Sequence, residues 1–167
     1  MKYLIDTNVF IQAKNMYYRF DFCGGFWDWM KTAHQNGLIY SIKKVREELN
    51  AGADQCATWI QTLPSTFFLD DLNDPAVMAE YGKIMQWSGS SHFRPAAITE
   101  FAKQNVADAF LIAVAKAHNY TIVTQELGNP AARNRILIPD AATVHGVNTV
   151  YVYDMLSAHT ISTFVAK

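Results

Sequence analysis

The sequence predicts an α/β fold, a three-layer α/β/α sandwich around a central, mostly parallel sheet. Three observations predict it. KYLI (2–5), LIYS (38–41) and YTIVT (120–124) are short apolar runs of the kind that are buried on both faces of a parallel sheet. Capped, helix-forming stretches separate them, as crossovers between parallel strands require. The 167 residues are 50% apolar and 17% charged, which suits one compact domain and argues against disorder. No Pro/Gly/Ser-rich linker and no repeat divides the chain, so a single domain over 1–167 is expected.

The elements follow in order. The first strand ends at Asp6, and Thr7 or Asn8 can cap a helix carrying Val9, Phe10 and Ile11. In the aromatic segment 20–29 (FDFCGGFWDW), Gly24 and Gly25 are expected to interrupt a helix that resumes to about Gln35. Asn36-Gly37 is a turn signal before the second strand. A helix over 43–51 has Gly52 near its end, and another covers 54–63. Residues 67–69 read as a short strand. Asp74-Pro75 is a strong helix start, with the helix stopping at the SGSS loop, and Arg94-Pro95 opens a further one ending near Lys103. Residues 105–118 form a long, almost wholly apolar helix leading into 120–124. ILIP (136–139) reads as a strand with Asp140 capping a short helix. VNTVYVY (147–153) reads as a last strand or extended run before a closing helix near 154–162.

Composition limits the function. Fourteen Lys and Arg against 15 Asp and Glu exclude a strongly basic coat and an acidic tail, though not a local basic rim. Cys23 and Cys56 make no CxxC pair or disulfide framework. The histidines (His34, His92, His118, His145, His159) lack ligand spacing and are assigned no catalysis. No apolar run reaches 18 residues, and MKYLIDTN meets an aspartate too early for a signal peptide, so the expected compartment is the cytoplasm. Phe22, Phe26, Trp27 and Trp29 suit either core or an interface.

Ligands of open α/β sheets gather outside the carboxyl ends of strands, so polar residues just after strands are the first candidates. Asp6 is one; it reads as a turn or cap residue or, beside Thr7 and Asn8, as part of a site. At 100° per residue Glu48 lies about 60° from the core-facing Val45, whereas Glu47 lies about 160° away and points to water. Asp108 can pair with Asn105 as a capping box, but it stands on the stripe of Ile112 and Ala115 in a helix expected to be central. Glu126 follows the strand 120–124 by two residues, and Asp140 is a further candidate to complete the group. Carboxylates converging on one mouth repel each other unless divalent cations neutralise them. Oxygen-only ligands suit Mg2+ or Mn2+, and phosphodiester hydrolysis is the natural chemistry.

These residues carry a family likeness. YLIDTNVFI, VREEL (45–49) and NVADAFLIAVAKAHNYTIVTQE (105–126) resemble, in order and spacing, the motifs of the PIN domain, the nuclease fold of VapC-like toxins. The VTxE ending, a basic stretch and an IPD segment are similar to an uncharacterised bacterial PIN-like subfamily. The usual late motif reads like Thr-Asn-Asp, whereas here it is Thr124-Gln125-Glu126. The resemblance implies a Mg2+- or Mn2+-dependent endoribonuclease, in some relatives the toxin of a toxin–antitoxin pair. Asp6, Glu48 and Asp108 would hold the metal, and Glu126 would support a second ion or orient water. Thr7, Asn8 and Thr124 would hydrogen-bond around them. RNA is the implied substrate, and an antitoxin and a second copy of the chain are implied partners.

A polyanion needs positive charge at the rim, and Lys43, Lys44, Arg46, Arg133 and Arg135 are the candidate phosphate contacts. Two other readings compete: a non-catalytic PIN-like module binding RNA or protein, and a magnesium-dependent phosphatase-like enzyme. The second usually needs another acid beside the first, which Thr7-Asn8 does not supply.

Overall fold

The computed structural model describes residues 1–160. Five parallel strands form one sheet: β1 (Tyr3–Ile5), β2 (Ile39–Ile42), β3 (Phe68–Leu69), β4 (Thr121–Val123) and β5 (Thr149–Val150), in the order β3-β2-β1-β4-β5. Helices flank it, as the apolar runs predict. Tyr3 pairs with Ile39 on one side and Thr121 on the other. Successive strands are added on one side of β1 and then, from β4, on the other. The sheet therefore reverses direction between β1 and β4, and a crevice opens outside their carboxyl ends.

The helices among the described residues are α1 (Thr7–Gln12), α2 (Gly24–Gln35), α3 (Lys43–Ala51), α4 (Gln55–Ile60), α5 (Pro75–Ser90), α6 (Pro95–Phe101), α7 (Asp108–His118), α8 (Ile138–Val144) and α9 (Val152–His159). A π-helical turn, Ala13–Tyr17, prolongs α1. Helix α7 is buried continuously from Ala109 to Ala115, and α5 packs on it with Tyr81 stacked on Phe110 at 4.3 Å. On the other side Phe10, Trp27, Trp59 and Phe67 form an aromatic layer with edge-on and tilted rings. Phe26, Trp27 and Trp29 are core, whereas Phe22 is exposed. Cys56 is buried and Cys23 partly so, both unpaired. No helix of the described residues is long and apolar enough to cross a membrane. Replacing the fully buried Leu111 by Ala is expected to destabilise the fold by about 2–5 kcal/mol, read as a lower urea midpoint at unchanged slope.

Several local expectations need correction. ILIP is no strand: Leu137 precedes α8 and Ile138-Pro139 open it, because proline gives a ladder no N–H but suits a first helical turn. Asp140 lies inside that turn and does not cap it; its Oδ2 accepts from the Asn129 N–H at 2.8 Å. Gly24 and Gly25 begin α2 and do not interrupt a helix, and at its first turn their low propensity does least harm. Helix α5 continues through Ser88-Gly89 to Ser90. The apolar helix starts at Asp108 and not at 105, since the Ala107 N–H is taken by Glu48 at 2.9 Å and the Asn105 cap is not formed. The last strand shrinks to two residues, and the closing helix starts at Val152; the part of that expectation at 161–162 lies outside the described residues.

Candidate acidic site

Asp6 leaves β1 at the crevice and its backbone N–H bonds the Val123 carbonyl of β4 at 3.0 Å. Neither Thr7 nor Asn8 caps α1, and Asp6, in the cap position, makes no side-chain cap bond. These three side chains are turned to other partners. The Thr7 hydroxyl donates to Glu48 Oε2, and Glu48 Oε1 accepts from the Ala107 N–H. Glu48 thereby ties α3 to the start of α1 and of α7.

Thr124, 1% exposed, is the hub of the second set. Its single proton goes to Asp6 Oδ2 at 2.8 Å. Its oxygen accepts from Asn8 Nδ2 at 3.1 Å and from the Glu126 N–H at 3.2 Å. Asn8 Oδ1 in turn accepts from the Gln125 N–H at 3.0 Å. A hydroxyl offers one donor and two acceptor sites, so Thr124 is saturated. Thr124→Val is expected to leave the Asn8 amide and the Asp6 carboxylate each short of a partner. A loss of about 1–3 kcal/mol in chemical unfolding follows.

Asp6, Thr7, Asn8, Glu48, Asp108, Glu126 and Arg135 line one cavity of about 320 Å³, together with Ile11, Glu100 and Val106. All four expected acids are therefore gathered at the crevice. Burial raises the Asp6 carboxyl well above its usual range, and Asp108, Glu126 and Glu48 push it further, against the Thr124 hydrogen bond. Burial and then the charges of Glu126 and Glu48 raise Asp108 to about 7, with Arg135 opposing. The helix N-terminus favours a charged Asp108, but desolvation wins.

The acids differ in what their oxygens do. Asp6 Oδ1 and both oxygens of Asp108 accept no hydrogen bond among the described residues, and both residues line the cavity. Glu126 is engaged on both sides: Oε1 pairs with Arg135 and Oε2 takes the Ile138 N–H at 2.8 Å. Among the described residues no three His, Cys, Asp or Glu side chains stand ready as a metal cage. Magnesium, however, is commonly held by one or two carboxylates with water and substrate phosphate. Asp6 and Asp108, with Glu48 beside them, fit that donor set by chemistry: hard oxygen atoms, desolvated, repelling one another. Glu126 fits it less well, its lone pairs being already directed elsewhere.

Of the candidate phosphate contacts, the cavity keeps Arg135 alone. Lys44 is buried, 3.8 Å from Glu47 with its ammonium 5.0 Å over the Phe110 ring, and is unavailable to a ligand. Lys43 pairs with Asp70 at 2.7 Å, and Arg46 lies 5.6 Å over Phe68. Arg133 is exposed on the loop before α8 but does not line the cavity. Asp140 stays outside it, bonded to Asn129. Glu100, exposed at the end of α6 and paired with Lys103, lines the cavity but was not expected; an acid on an amphipathic surface helix carries no sequence signal of it.

No curated protein matches the chain. The family described as "Domain of unknown function (DUF4411)" matches residues 3–163, a span that includes every acid of the cavity. With nearly its whole length covered by that match, this chain is a member of the DUF4411 family.

Proposed function

We propose that the protein is a divalent-metal-dependent endoribonuclease, with Asp6, Asp108 and Glu48 holding Mg2+ or Mn2+. One observation carries the reading: the buried Asp6 and the half-buried Asp108, neither with a full cationic partner, are packed beside a third carboxylate at the sheet's switch point. Such an arrangement opposes folding and is retained where a charged ligand relieves it. A bound cation would lower the pKa of a water and stabilise charge on the phosphate during hydrolysis. The protein's own part is positioning. Thr124 fixes Asp6, and Thr7 with the Ala107 N–H fixes Glu48, so each carboxylate is held before a ligand arrives. Without a cation, Asp108 retains a proton up to about pH 7 and so limits the repulsion.

RNA as substrate is supported by the PIN-like motifs around Asp6, Glu48 and Asp108, and the same likeness supports an antitoxin that covers the cleft, a homodimer and a cytoplasmic role. The engagement of both Glu126 oxygens favours a second reading, a non-catalytic RNA- or protein-binding module on the same scaffold. A cleavage assay on mixed RNAs with magnesium, manganese or chelator separates the two. Metal-dependent cutting by the wild type, absent in Asp6→Asn, is the expected result. Equal behaviour of the two proteins would overturn the nuclease reading.

A further inference from the structure

We propose that Arg135 is the phosphate anchor of the cleft, and that Glu126 is the residue that positions it. The inference rests on the nuclease reading and names how that site grips a single-stranded RNA. Three cavities adjoin. One of about 180 Å³ is walled by Ala97, Phe101 and Asn134, the acidic one holds about 320 Å³, and one of about 350 Å³ is walled by Gln12, Gln125 and Leu127. Arg135 lines all three, and no other basic side chain among the described residues lines any of them.

The pairing at Arg135 is one-sided. The Glu126 side chain is 9% exposed and is fixed by the Ile138 N–H as well as by Arg135. The Arg135 side chain is 64% exposed, and its contact to Glu126 uses one Nη. A guanidinium carries five donors in a rigid fork, so most of them remain open toward the cavities. A carboxylate that orients such a fork, with the free edge facing a groove, suits bidentate capture of a phosphate. A chain of phosphates approaching Asp6, Glu48 and Asp108 is repelled by these acids, and Arg135 is the one basic side chain among the described residues that lines the cavities to attract it.

The walls fit the rest of a nucleotide strand. Gln12, Gln125 and Asn134 offer neutral amides to base edges, and the exposed Leu127 offers an apolar surface to a base face. Unpaired bases present those edges and faces; a duplex hides them. Glu126 in place of a shorter acid matters here, because its carboxylate reaches Arg135 and the start of α8 together.

The test is anisotropy of a labelled single-stranded RNA in chelator, where nothing is cut, over a salt series, followed by single-turnover cleavage in manganese. Arg135→Gln is expected to weaken binding about tenfold or more and to lower the log–log salt slope by about 0.7, one phosphate contact on a single strand. Arg135→Lys keeps the slope and recovers only part of the affinity. Glu126→Gln keeps the slope but lowers the saturating single-turnover rate more than it raises the protein concentration for half-maximal rate, a split that a merely structural role would not give. Thermal melts confirm that the variants are folded. If Arg135→Gln and Arg135→Lys bind and cut like the wild type, the anchor is wrong while the nuclease reading stands. If the wild type neither binds nor cuts, both are wrong.

Discussion

Asp108→Asn is expected to make the protein inactive and, at about pH 8 without divalent metal, more stable. The two effects share one cause. In the folded chain desolvation, and then the charge of Glu126, pushes the Asp108 carboxyl up to about 7 from an ordinary value of 3.8. The folded state thus binds this proton more tightly than the unfolded state. The stability it confers is complete below about pH 4 and is lost as the pH rises through 7. Above that, the ionised group weakens the fold by something on the order of 3–4 kcal/mol, which the asparagine removes. Melting should rise by roughly 10 °C at about pH 8 for a chain of this size, by less than half of that at pH 5, and not at all near pH 4. Asp54 and Asp74 act oppositely, being lowered by hydrogen bonds from Lys14 and His118, so they weaken the fold only in acid. Comparing variant with wild type at each pH cancels their contribution. Manganese or magnesium should raise the melting temperature of the wild type and leave Asp108→Asn unmoved. Cleavage should fall on the order of 10²–10³-fold. A variant no more stable than wild type at about pH 8 in chelator would remove the electrostatic basis of the site.

Glu126→Ala should do the reverse and destabilise the protein. Its carboxylate answers the Ile138 N–H at the start of α8 and the Arg135 guanidinium. Loss of a helix-terminal acceptor weakens a fold by about 0.5–2 kcal/mol, and loss of a charged hydrogen bond by about 1.5–3 kcal/mol. A combined loss of about 2–4 kcal/mol, smaller above about pH 7 where Asp6 and Asp108 lose a repelling neighbour, lowers the melting temperature by roughly 5–15 °C. The opposite signs at Asp108 and Glu126 distinguish an acid held in reserve for a ligand from one already satisfied by the protein. Differential scanning calorimetry of both variants in chelator reads the contrast directly; equal shifts would remove the distinction.

The strands, the central helix and the four acids were legible because each rests on local pattern. Tyr3–Ile5 and Thr121–Val123 are apolar runs too short for helices, and Asp6 and Glu126 follow them where parallel sheets leave room for ligands. The helical angle of Glu48 against Val45 needed only the period of the helix. The errors came where partners distant in sequence decide. The run ILIP looks like a strand until Glu126 supplies an acceptor for its third residue, and among the described residues no strand pairs with it. Asn105 is a fair cap until Glu48, 59 positions before Ala107, takes the Ala107 N–H.

The amino-acid sequence by itself determined that the chain forms a parallel α/β sheet and which acids stand at its carboxyl edge. Hydrophobic periodicity and strand ends are short-range properties, readable a few residues at a time. Only the tertiary structure decided that Asp6 and Asp108 keep open oxygens while those of Glu126 are engaged, and that Arg135, not Lys44, stands at the cleft. Charge and hydrogen bonding act through space, so the role of an ionisable side chain is set by what the fold places within a few ångströms of it.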